Sequence, residues 1–91
     1  MKMWELFSQP GTWTRKEYAR SEDGYMVPYE SSQACSWCLM GASFKCYEYE
    51  EGIKVRDEIR DELQILSITG WNDVPGRTQE EVAALCKKLD I

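Results

Sequence analysis

The chain contains no histidine. That removes the commonest general base and metal ligand, so acid–base chemistry near pH 7 requires a shifted carboxylate or thiol. Its six glycines form no phosphate-cradling loop, and no nucleophile elbow or paired-carboxylate signature occurs. These absences point to a protein that is not an enzyme, and they leave no cofactor to expect. No apolar run approaches the roughly 18 residues of a membrane-crossing helix, so no membrane partner is expected. The opening Met1-Lys2-Met3-Trp4-Glu5-Leu6-Phe7 is too short and interrupted for a signal peptide. The expected location is therefore cytoplasmic, with reduced thiols. Clustered basic residues are also missing, which argues against nucleic acid.

What is present is apolar and aromatic. The 91 residues are 43% hydrophobic, with four tryptophans and five tyrosines. This is enough for one modest core and a single domain, residues 1–91. Charge is uneven. Residues 1–45 carry five basic and five acidic side chains, whereas residues 46–91 carry six and eleven. The net charge of −5 thus sits in the second half, which suits a basic protein partner or solubility.

The pattern predicts a mainly α, α+β fold: a small bundle of three to four helices with one β-hairpin. Met3 to Phe7 reads as a short helix ended by Pro10-Gly11. Two β-prone runs around Ser21-Glu22-Asp23-Gly24 predict a hairpin at about 15–28, since Asp-Gly is a tight-turn signal. Ser31 or Ser32 is the expected cap of a helix over 32–47, with Cys35, Cys38, Ala42 and Cys46 on one face. Gly41 and Ala42 there suit the close approach of another helix. A third helix is expected over 53–68, burying Ile59, Leu63 and Leu66. Pro75-Gly76 marks a turn, and Thr78 with Glu81 has capping-box spacing for a last helix over 78–90. That helix buries Val82, Leu85, Cys86 and Leu89.

Three stretches resemble a small bacterial and phage domain family of unknown function. They are Gly11-Thr12-Trp13-Thr14 with Ala19-Arg20-Ser21-Glu22-Asp23-Gly24, then Ala34 to Ala42 around Trp37-Cys38, and Trp71-Asn72-Asp73 with Gly76-Arg77-Thr78 and Glu81-Val82. Family members usually have a longer first helix than the one or two turns read here. The resemblance implies a fold only, because the family brings no activity with it.

Three constellations compete for a functional role. Cys35-x-x-Cys38 with Cys46 and Cys86 offers four zinc ligands, but no second close pair follows, and packed core thiols fit better. A redox role for Cys35 and Cys38 needs a first-turn thiol beside a sheet, which the pattern does not supply. In the turn Trp71-Asn72-Asp73…Arg77, Asp73 would act as base or ligand and Asn72 and Arg77 as anion binders. Asx residues that tie down a turn, with Arg77 paired to Asp73, are the simpler reading. The acidic, aromatic segment Tyr47-Glu48-Tyr49-Glu50-Glu51 is the leading partner-binding candidate, with the hairpin's Arg15, Lys16, Arg20 and Tyr25 as a second surface. The favoured expectation is a small acidic binding protein. The resemblance and size suggest a phage or mobile-element accessory factor that inhibits a host protein. Self-association into a homo-oligomer is a further expectation. The alternative is a small-molecule or metal-binding domain built on the Trp71–Arg77 turn or the cysteines.

Overall fold

Met3, Leu6 and Phe7 share one face of the first helix and lie buried, while Trp4 is half-buried beside them. The computed structural model describes residues Met1–Ile91. Its elements run α1 (Met3–Phe7), β1 (Ala19–Ser21), β2 (Ala34–Trp37), α2 (Leu39–Cys46), α3 (Tyr49–Leu63), α4 (Ile68–Asn72) and α5 (Gln79–Leu89). The architecture is α+β, with five helices rather than three or four. The additional helix, α4, is a single turn started by Ser67, whose Oγ accepts the Gly70 amide at 2.9 Å.

The turn at Asp23-Gly24 forms, but it does not join two paired strands. The Gly24 amide bonds to Ser21 O and the Ser21 amide to Tyr25 O. Beyond it the chain pairs with β1 over a single bridge, Arg20–Met26, closed by the bond from the Val27 amide to Ala19 O. The true partner of β1 is β2, antiparallel, with Ala19 opposite Trp37, Arg20 opposite Ser36 and an irregularity between Arg20 and Ser21. The helix expected over 32–47 therefore starts later. Its first residues are held extended because Trp37 donates to Thr12 O and accepts from Thr14 N on the opposite edge from β1. Cys38, not Ser31 or Ser32, caps α2, its Sγ accepting the Gly41 amide.

α3 begins at Tyr49 and ends at Leu63, so it is shifted from the expected 53–68. Glu48 is its N-cap, and Glu50 and Glu51 occupy the first turn, where carboxylates complement the positive end of the helix dipole. The acidic run is thus a helix start. Gln64 turns left-handed at φ 54° and stops the helix, which leaves Leu66 almost wholly exposed instead of buried. The capping box at Thr78 forms as its spacing predicts: Thr78 Oγ1 takes the Glu81 amide, and Glu81 Oε1 takes the Thr78 amide.

Every element contributes to one hydrophobic core, including Phe7, Trp37, Leu39, Ile59, Ile68 and Val82. α5 packs on α1, and α2 packs on α3 and α4. Gly41 is buried where α2 meets the main chain of Tyr18, and any side chain there would overlap the Tyr18 carbonyl. The close approach is therefore to the segment entering β1, not to a helix. No helix is long and apolar enough to cross a membrane.

Candidate functional site

The polar turn is a structural clamp. Asn72 is fully buried at the end of α4 and uses all its side-chain capacity. Its Oδ1 accepts Trp13 Nε1 at 2.7 Å and the Leu39 amide at 3.0 Å. Its Nδ2 donates to Thr14 O and to Asp73 Oδ1. Asp73 Oδ1 also accepts the amide of Lys16, which stands at φ 72°, and the Asp73 carbonyl takes Arg15. The expected Asp73–Arg77 pair does not form. Arg77 instead lies 3.8 Å over the Trp71 ring, donates to Trp71 O and pairs with Glu81 at 2.9 Å. That pairing holds the Glu81 carboxyl below its ordinary range. With these groups bonded to the chain itself, the turn fastens residues 13–16 to α2 and α4.

The cysteines are dispersed. Cys35 is exposed on β2, Cys38 is buried at the α2 cap, Cys46 is half-buried and Cys86 lies in the core. All four are free, and no three Cys, Asp or Glu side chains gather closely enough to hold a metal ion. The single helical face expected for Cys35, Cys38 and Cys46 is thus split between a strand, a cap and a helix. Burial pushes the Cys38 thiol up, against the Gly41 and Met40 amides that favour the thiolate. Burial likewise raises Cys46, and it pushes Cys86 up to about 12. A raised thiol is a poor nucleophile at neutral pH, so Cys38 lacks the activation that redox motifs need.

The segment 47–51 meets aromatic residues from distant parts of the chain. Tyr29 and Phe44 stack with centroids 5.3 Å apart, and Tyr18 approaches Phe44 at 5.8 Å. Two clefts meet at Tyr29. One is lined by Tyr18, Met26, Val27, Pro28 and Tyr29 with Lys16, Glu17 and Glu30. The other, of about 460 Å³, is lined by Tyr29, Phe44, Tyr47, Glu48, Tyr49 and Arg56. Met26 and Tyr49, one in each cleft wall, are 67% and 80% exposed, so this face keeps large side chains in water. Tyr47 turns partly inward, and burial pushes its hydroxyl up to about 12. Glu50 and Glu51 stand beside it on the first turn of α3.

Arg56 completes the face. Its guanidinium lies 4.5 Å over the Phe44 ring and donates to Ser43 Oγ at 3.1 Å. The sequence marks Tyr47–Glu51 and Tyr25 but not Tyr18, Tyr29, Phe44 or Arg56. The tyrosines were visible in the composition, yet only the tertiary fold brings residues 18, 29, 44 and 56 together. Of the second expected surface, Lys16 and Tyr25 are exposed, whereas Arg15 and Arg20 are spent on carbonyls of Asp73, Gly24 and Arg15.

No curated protein and no solved structure matches the chain. A family model described as "Family of unknown function (DUF6197)" matches residues 5–89, nearly the whole chain. The chain belongs to that family, DUF6197.

Proposed function

We propose that this protein is a non-enzymatic binding module that docks a partner protein on the aromatic face around Tyr29 and Phe44. The observation that carries the reading is the meeting of two clefts at Tyr29, with Met26 and Tyr49 on their walls left in water. Tyrosine and arginine are the residues that most often dominate binding energy, because they bury large area at low entropic cost. Glu17, Glu30 and Glu48 rim the clefts, and Glu50 and Glu51 follow on the first turn of α3, so a partner with basic edges is complementary. An accessory factor of a phage or mobile element that blocks a host protein is the form of this activity that the resemblance and the small acidic chain suggest. The small-molecule and metal readings have less support, since the Trp71–Arg77 turn is satisfied internally and no three metal-ligating side chains gather.

Affinity capture from lysate of the source cells tests the proposal. Wild-type protein is compared with a Tyr29→Ala/Tyr49→Ala variant whose helix content is checked by circular dichroism. A specific protein is expected on the wild type and not on the folded variant. Charge reversal at Glu48, Glu50 and Glu51 is expected to weaken the same capture. Retention of every captured species by both variants would refute the docking face.

A further inference from the structure

Five arginines occur in this chain, and Arg56 alone is bonded to neither a carboxylate nor a carbonyl. It joins none of the four ion pairs. One hydroxyl, Ser43 Oγ, takes one of its five N–H groups, and the Phe44 ring covers a face of its plane. Arg56 itself lines the cleft walled by Tyr29, Tyr47 and Tyr49.

The helix is built around this placement. Gly52 is buried inside α3, where glycine is less stable than alanine. A Cβ at Gly52 would stand 2.9 Å from Arg56 Nη1, so the missing side chain is the space in which the guanidinium lies. Ser43 is likewise fully buried, with its hydroxyl bridging Met40 O and Arg56. The guanidinium is therefore held flat and in place, which lowers the cost of using its fork.

We propose that Arg56 is the anion seat of the docking face and takes an aspartate or glutamate side chain of the partner protein. This deepens the docking reading and rests on it. A planar guanidinium matches a carboxylate with two parallel hydrogen bonds, and a ring stacked behind it leaves that edge free. Glu48 is the one acidic residue in the cleft wall, and its side chain caps nothing. It repels a bare anion and attracts the bases that flank the partner's acid. The matching partner surface thus carries an acidic residue at its centre and basic residues at its edge, with an apolar group against Tyr29 and Tyr49.

The test is an NMR titration of ¹⁵N-labelled protein with phenylacetate, a carboxylate attached to a ring, at constant ionic strength. Benzyl alcohol and benzyltrimethylammonium serve as the neutral and cationic counterparts. Saturable shifts are expected at Arg56 Nε–H and the Gly52 amide with phenylacetate, at least tenfold weaker with either counterpart. Arg56→Gln is expected to abolish them. Gly52→Ala, which keeps the charge but displaces the guanidinium, is expected to weaken them several-fold. Equal binding of benzyl alcohol, tighter binding of the cation, or no saturable binding would overturn the anion seat. If phenylacetate fails while Tyr29→Ala/Tyr49→Ala still loses the captured protein, the docking face stands and only the seat falls.

Discussion

Asn72 Oδ1 accepts the indole N–H of Trp13 at 2.7 Å across 59 positions of sequence. The same oxygen takes the Leu39 amide, so one buried side chain ties the first loop, the start of α2 and the end of α4 together.

Asn72→Ala leaves those two donors buried without acceptors. Each unsatisfied group costs about 1–3 kcal/mol, so the variant is expected to lose about 3 kcal/mol or more. Urea unfolding followed by tryptophan fluorescence measures it. A loss below about 1 kcal/mol would mean that water replaces the amide and that the clamp is dispensable.

This clamp also shows what the sequence could and could not disclose. Thr78 and Glu81 lie three apart, and their mutual bonds are local, so the start of α5 was legible. The Asx residues at 72 and 73 were legible as turn-formers, but their partners Trp13, Thr14, Lys16 and Leu39 are brought in only by the fold. The strand Ala34–Trp37 was hidden because Cys35, Cys38 and Cys46 happen to repeat at helical spacing. Its extended form is fixed by bonds to Thr12, Thr14 and β1, which no local pattern reports. Gln64 ends α3 in a left-handed conformation without the glycine that usually signals it, so Leu66 kept its apparent place on the stripe. Half of the candidate face, Tyr47 to Glu51, was visible as an acidic aromatic run. Tyr29, Phe44 and Arg56 were not, since only packing unites them.

Two helix-interior glycines are expected to behave oppositely. Gly41→Ala drives a methyl group into the Tyr18 carbonyl, and overpacking of this kind costs about 1–3 kcal/mol or more. Gly52→Ala meets only the tip of Arg56, so the gain in helix propensity of about 1 kcal/mol offsets the lost contact. Thermal unfolding of the two variants should show a clear fall for the first and little change for the second. Similar falls for both would contradict the assigned contacts.

Thiol chemistry follows burial. Cys35 is exposed, whereas Cys38 and Cys86 are buried and their thiols are raised. Under native conditions Cys35 is expected to react first with a thiol reagent, and Cys38 and Cys86 only at the rate of opening. Mass spectrometry of timed alkylation reads the order. Early modification of Cys38 would revive the redox reading that its raised thiol disfavours.

Alkaline pH should destabilise the fold. Cys86 is pushed from an ordinary value of 9.0 to about 12, and Tyr47 from 10.0 to about 12. Between these values the unfolded chain releases protons that the folded one retains. The stability held below pH 9 is therefore lost as pH rises toward 12. Urea midpoints from pH 8 to 11 are expected to fall, and Cys86→Ala should flatten the first part of that fall after its own lower baseline is allowed for. A midpoint unchanged across this range would contradict the burial of both groups.

The most direct measurement places a photocrosslinking amino acid at Tyr49, which is 80% exposed at the mouth of the cleft, in cells that express the protein. A control carries it at Lys87 on α5, outside both clefts. One discrete crosslinked protein is expected from position 49, absent from position 87 and lost when Tyr29→Ala is added. No adduct at position 49, or the same adducts from both positions, would contradict the aromatic face as a docking surface.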